Sequence, residues 1–556
     1  MQNGQSNIND LFNADRIFNI PKYQRTYTWQ EDNLKTFLSD IKNQRGDKPY
    51  FLGTFLFHDK QRKGDYEVLD IVDGQQRLTT LVIFMKIIIE LLESENSVLI
   101  TNKTKNRFIK DNDGVYKLEL ENEDNSFLTN VILENGKISS YETPSQRNLH
   151  NAKVYFTNEL KLFNLVKLEQ IYDVIINANI LNYVVNNISD ATQIFELLND
   201  RGRPLSNLEG IKSFLMYKIG SLNIKDHNQP INSIQDNIAA IYRIVEYNSY
   251  NENDILRYHT IAFEDVKTED YNNPDRHIKN EINNLFVNEV DDVIIKERIV
   301  NYVSDLKESF EMYKKIRTNE EKIDEIEYLL MLDRLGPFYP FLLKTYKDDK
   351  GNLKVFVKAL YKFIFMSAFI GLQNRNEKLY KNIRDNVNLT SLFTQIVDDN
   401  WWNIQNRFRD SVNVVNYYEW INKNVIKYIL VRYENHLRKV KGYPLLTTKN
   451  FQESEERTKL SIEHISAQKS NLNFSDTFNE RSLHSVGNLV IDTVSSNSRK
   501  GKKLVDEKMA EYKKAPIMSQ NEIDESITNW QKKSEIKTFI EEREKKLTVF
   551  INDYLI

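Results

Sequence analysis

The sequence predicts an α+β chain that is mostly helical, and three stretches predict it. Strand-forming residues at 50–59 and 66–72 flank a Lys63-Gly64-Asp65 turn and run into a long apolar segment from Leu78. That order reads as a hairpin followed by a buried helix. From about 216 to 440, apolar residues recur at helical spacing, as in 234–247, 293–313, 325–335 and 353–369. After 441, short strand signals at 461–465 and 488–491 precede a helix start near 495–498. We therefore divide the chain into 1–215, 216–440 and 441–556.

Composition narrows the functions open to it. A chain of 556 residues is too long for one hydrophobic core. Its net charge of −4 gives no global field toward nucleic acid, so such binding must come from local basic patches. With no cysteine, disulfides, thiolate chemistry and Cys-ligated zinc or iron–sulfur sites are excluded. The polar start MQNGQSNIND and the lack of an apolar run of spanning length lead us to expect a cytoplasmic protein with no membrane contact.

Taken in order, the first cluster is IPKYQRTYTW, Ile20 to Trp29, where Pro21 fixes φ and aromatic and polar residues alternate. A helix is expected over 34–41, then the hairpin of 50–72. At its end, Asp73 and Gly74 break the strand, since Gly accepts φ > 0. The polar run Asp73-Gly74-Gln75-Gln76-Arg77 then stands at the mouth of an apolar helix. A helix N-terminus gathers unpaired N–H groups and suits an anion. Arg77 adds a fork of donors matched to phosphate or carboxylate. Gln75 and Gln76 can read a base or sugar edge. The plainer alternative is that Asp73 only caps the helix and Arg77 only pairs with it.

The polar, Asn-rich stretch 102–148 reads as an irregular insertion. Helical spacing resumes near Ala152 and leads to FELLNDRGRPLSNLEGIKSFL, Phe195 to Leu215. One helix is expected to end near Asn199, and Ser206 to cap the next with Glu209 in a capping box. A helical corner needs no more than this, although Arg201 and Arg203 beside a helix start can also clamp a phosphate.

The C-terminal constellation is KLSIEHISAQ followed by LHSVGNLVIDTVSSNSRKGKKLVDEK. Glu463-His464 on or just after a first strand, Asn488 on the next and Asn497 at the final helix follow the order of a ββα-metal (HNH) nuclease. A hard divalent ion wants oxygen ligands, which Glu463 and Asn497 supply. His464, as a neutral imidazole, takes the proton of an attacking water. Asn488 holds a loop or orients His464. Arg499, Lys500, Lys502 and Lys503 form a local basic run for a phosphate backbone. Singly, each has a structural reading: a buried histidine, a helix cap, a solvated face.

Together these motifs resemble the GmrSD-type family of modification-dependent (type IV) restriction endonucleases. IPKYQRTYTW, DGQQRLTTL and FELLNDRGRPLS carry the family's N-terminal patterns, and EHISAQ, GNLVI and NSRKGKKLVDEK its C-terminal ones. Ala467 replaces the usual proline and Val505 a common aromatic, and neither change removes a ligand or the base. The resemblance implies a ParB/sulfiredoxin-like N-terminal domain that binds and hydrolyses GTP or ATP through Asp73, Gly74, Gln75, Gln76 and Arg77, with Gln24 and Arg25. It implies an HNH domain that uses Mg2+ or another divalent metal to cut foreign DNA, modified phage DNA in particular, and it admits a homodimer. Two rival functions stay open: a nucleotide-binding regulator with a degenerate HNH domain, and an RNA-targeting effector nuclease.

Overall fold

The Lys63-Gly64-Asp65 turn joins β3 (Phe51–Asp59) to β4 (Glu67–Asp73) in antiparallel register, as the turn residues dictate. In this computed structural model the described residues are 3–556, apart from 14, 45–48, 61, 200–205, 373–375, 386, 415, 453–454, 456–457, 468–480, 502, 504 and 527–531. The chain folds into two units, residues 1–257 with 269–311, and residues 258–268 with 312–556.

The first unit is built on a six-stranded mixed sheet, ordered β1-β6-β3-β4-β2-β5. Its other strands are β1 (Gly4–Asn7), β2 (Arg16–Ile20), β5 (Leu118–Leu120) and β6 (Asn179–Val185). β2 runs parallel to both β4 and β5, and β3 parallel to β6. The strand alternation sends Leu69 and Ile71 of β4 into one core with α1 (Glu31–Lys42), α2 (Gln75–Ser94) and α3 (Pro144–Leu160). On the other face, Leu56 and Val72 pack against Ala191 and Phe195 of α4 (Ile188–Asn199).

Two expectations are corrected here. The stretch 102–148 is not an irregular insertion throughout: it supplies the helix Asn102–Phe108 and the edge strand β5. Three residues are too few to print a period of two. Nor does helical structure wait for Ala152, because Thr143 caps α3 and Pro144 opens it. After the segment 200–205, Ser206 caps α5 (Asn207–Ser221), and Glu209 returns the capping-box bond to the Ser206 N–H at 3.0 Å. α6 (Asn228–Asn248) completes the part of this unit used below.

The second unit is helical around a two-stranded hairpin. β7 (Leu460–His464) and β8 (Leu489–Thr493) pair antiparallel, with Glu463 opposite Val490 and His464 opposite Leu489. The hairpin is bracketed by α7 (Lys423–Lys441), α8 (Val494–Lys500), α9 (Val505–Lys514), α10 (Met518–Ser526) and α11 (Lys533–Tyr554). α11 presses directly on the turn before β8. A Cβ on Gly487 would stand 2.1 Å from the Ile540 carbonyl oxygen, so only glycine fits. Arg543, buried in the same helix, donates to the Gly487 and Leu489 carbonyls at 2.9 and 2.6 Å. Among the described residues, no helix is long and apolar enough to cross a membrane.

Candidate functional site

In the first unit, the segment of residues 20–29 lies against the β4–α2 turn, and two glutamines tie them together. Gln24 Nε2 donates to the Val72 and Ile71 carbonyls at 2.9 and 3.3 Å. Gln76 reaches the other way, donating to the Thr26 carbonyl at 2.8 Å and accepting from the Thr28 N–H at 2.9 Å. Gly74 turns the chain into α2 with φ of 93°. Arg77 lies over β3, donating to the Thr54 and Leu52 carbonyls at 2.7 and 3.3 Å and standing 3.5 Å from Asp73. Gly53 makes that seat, since a Cβ there would meet Arg77 Nη1 at 1.8 Å. Asp73 is half-buried. Burial raises its pKa above the usual aspartate value, and Arg77 opposes the shift. The buried Gln75 Oε1 has no hydrogen-bond partner among the described residues, and Gln75 lines a small cavity with Arg25, Tyr27, Gln76 and Thr79.

Arg25 is drawn toward α5. Its Nη2 donates to Ser206 Oγ and Glu252 Oε1, both at 2.6 Å, and Glu209 stands 3.0 Å from Nε. Burial works against this charge, but Tyr242, Glu209 and Glu252 outweigh it and hold the guanidinium above its ordinary pKa. Beside it lies Lys212 of α5, which sequence reasoning missed. It is buried between the Tyr23 and Tyr242 rings, and burial pulls its pKa down to about 8 against the pull of Glu209. A lysine among the apolar positions of IKSFL was the available signal. Arg201 and Arg203 lie outside the described residues.

In the second unit the hairpin gathers the C-terminal motif. Glu463 is buried, and its Oε1 accepts from Lys508 Nζ at 2.7 Å and from the Tyr512 hydroxyl at 3.3 Å. Burial raises the Glu463 pKa, with Lys508 opposing. Lys508 also donates to the His464 carbonyl at 2.8 Å. It is the last residue of the NSRKGKKLVDEK pattern, yet its contact with a carboxylate 45 residues away is not written in that pattern. Asn497 turns its amide nitrogen into the hairpin, donating to Ser461 Oγ at 3.0 Å and the Ile462 carbonyl at 2.9 Å. The carbonyl oxygen of Asn497 and the second oxygen of Glu463 have no hydrogen-bond partner among the described residues. Both are hard oxygen donors of the kind a divalent ion takes alongside water and substrate oxygens, so the set fits such an ion, with Lys508 sharing the carboxylate.

His464 follows Glu463 at the end of β7. Its ring stands edge-on to Tyr418 at 4.6 Å and 5.6 Å from the His484 ring. Burial, then the fields of His484, Lys508 and Lys423, bring its pKa down to about 3, which keeps the imidazole neutral near pH 7. Asn488 is fully buried and holds the loop after β7, accepting from the Ser466 N–H at 2.8 Å and donating to the Ser466 and Leu483 carbonyls.

The basic run behaves differently from its expectation. Lys500 is corrected from a DNA contact to a structural ion pair. It is buried, and its ammonium donates to Asp492 and Gln520, each at 2.9 Å. Lys503 and Arg499 are exposed but both face Glu511, at 3.0 and 3.9 Å. Lys502 lies outside the described residues.

With this geometry in hand, comparison with known families finds two matches. Residues 8–216 match the model described as GmrSD restriction endonuclease, N-terminal domain. Residues 402–549 match that described as GmrSD restriction endonucleases, C-terminal domain. No curated protein matches the chain.

Proposed function

We propose, from the premise that this chain belongs to the GmrSD restriction endonuclease family, that it cuts modified foreign DNA at the β7–β8–α8 centre under control of a nucleoside triphosphate. Membership makes it a restriction endonuclease acting on DNA. The finer reading rests on one observation: a hairpin and its following helix carry Glu463, His464 and Asn497 in HNH order, with the Asn497 amide tied back to Ile462.

Each residue then has a role its surroundings suit. Glu463 and Asn497 would hold a divalent ion, which supplies positive charge to the phosphate as negative charge develops there. His464, kept neutral, takes the proton of the attacking water. Asn488 fixes the loop that follows β7 and positions His464. In the first unit, Asp73, Gly74 and Gln75 would face GTP or ATP, while Gln24, Gln76 and Arg77 shape the turn and Arg25 joins it to α5.

The test is cleavage of modified and unmodified phage DNA by the full chain with Mg2+, with and without each triphosphate. His464→Ala should cut slower by about 10²-fold or more and melt like the parent. Equal cleavage removes His464 from the chemistry. A second reading, a nucleotide-binding regulator that does not cut, draws on Lys508, whose ammonium already neutralises Glu463. It predicts nucleotide binding with no cleavage under any of these conditions.

A further inference from the structure

Lys500 is paired with Asp492, and Arg499 and Lys503 share the one carboxylate of Glu511, so a DNA strand near His464 can draw on a second positive surface. The second unit has one. Lys423 and Lys427 lie one turn apart on α7, so their side chains share a face. Lys423 Nζ stands 3.1 Å from the centroid of the Tyr418 ring, which makes the T-shaped contact with His464. Lys427 lies over Phe451 and donates to its carbonyl at 2.8 Å. It also feels the charge of Lys459, the exposed residue just before β7.

Acid is scarce on this side. Among the described residues, no carboxylate pairs with Lys423, Lys427 or Lys459. The acid near this end is Glu419, whose charge reaches Lys423 but which accepts from Asn416 and faces His484 Nε2 at 3.6 Å. His484 itself stacks on Tyr418 at 5.8 Å, and its buried Nδ1 has no hydrogen-bond partner among the described residues. Lys427 and Lys459 repel each other, Lys423 has only the more distant charge of Glu419 to offset its own, and polyanion binding relieves that excess while releasing condensed ions. The contrast is with Arg499, Lys500 and Lys503, whose charges already face Glu511 and Asp492.

We propose that the DNA backbone crosses the second unit over Lys423, Lys427 and Lys459, with Tyr418 between Lys423 and His464, and not over Arg499, Lys500 and Lys503. This deepens the nuclease reading and rests on it for the identity of the polyanion. The partner is a phosphodiester backbone, met by charge and without base readout.

The experiment is fluorescence anisotropy of the full chain on a labelled DNA duplex in EDTA, so that nothing is cut, over a series of salt concentrations. Neutralising Lys423, Lys427 and Lys459 together to glutamine should flatten the slope of log K against log salt by about 2 to 3, at about 0.9 per phosphate contact. The exposed pair alone, K423Q with K459Q, should flatten it by about 1 to 2 and guards against a fold defect at Lys427. R499Q with K503Q should leave the slope as in the parent. The proposal is overturned if the lysine variants keep the parental slope, or if R499Q with K503Q lowers it as much. The arms separate the two readings: if the lysine variants lose binding while H464A still cuts, the catalytic assignment fails and the DNA face stands.

Discussion

Lys212 offers a quantitative test of how the first unit is held together. Its pKa of about 8 in the fold, against an ordinary 10.5, means that the native state disfavours its charge. At about 1.36 kcal/mol per pH unit the gap corresponds to about 3 kcal/mol. The side chain is buried, so solvent screening takes little from this figure. Its two hydrogen bonds, to the Tyr23 carbonyl and Gln24 Oε1, are both 3.4 Å long and return little. Lys212→Met keeps the length and removes the charge, and should raise stability near pH 7 by up to about 3 kcal/mol. The sign follows from proton counts. Between about pH 8 and 10.5 the unfolded chain holds a proton that the native one has lost, so parental stability rises with pH across that window relative to the variant. Below about pH 8 both states are charged and the full penalty stands. Urea unfolding of parent and variant near pH 7 and near pH 10.5, followed by hydrogen exchange in residues 207–221, measures it. A variant less stable than the parent near pH 7, or a gap independent of pH, would refute the reasoning and make Lys212 a net ionic tie to Glu209.

Two further outcomes follow from the geometry. Arg77→Ala removes two charge-assisted bonds to β3 carbonyls, each worth about 1.5–3 kcal/mol, so the thermal melt should fall clearly. Calorimetry with GTP and ATP on the same variant then reports nucleotide binding, and a parental melt would show that Arg77 is not a brace. Gly487→Ala forces α11 away from the turn before β8, at a cost of about 1–3 kcal/mol. We expect DNA cleavage to fall further than DNA binding, and equal losses in both would mean the turn does not position His464.

Much of this architecture was readable in advance where local chemistry decides it. The hairpin at 63–65, the Ser206–Glu209 box and the β7–β8–α8 order each follow from residues a few positions apart. What escaped the sequence is set by long-range partners. Gln76 looked like a ligand contact, but its partners, Thr26 and Thr28, lie 50 and 48 residues upstream. Lys500 looked like a DNA contact because nothing nearby in sequence shows that Asp492 and Gln520 close on it. Lys423 and Tyr418 were invisible as neighbours of His464, since only the packing of α7 and the preceding turn beside the hairpin brings them there.

The seat of Arg543 against the Gly487 turn also orders events during synthesis. Arg543 is made 56 residues after Gly487. At about 5–20 residues per second that is a delay of roughly 3 to 11 s. Through that interval the turn leading into β8 lacks the buried guanidinium that holds its carbonyls, and Asn488 has no fixed frame from which to hold the loop after His464. A nascent chain therefore carries Glu463, His464 and Asn497, the proposed catalytic set, before it can align them. For a member of a restriction endonuclease family, a clasp supplied by residues 533–554 delays activity until that helix has been made and docked.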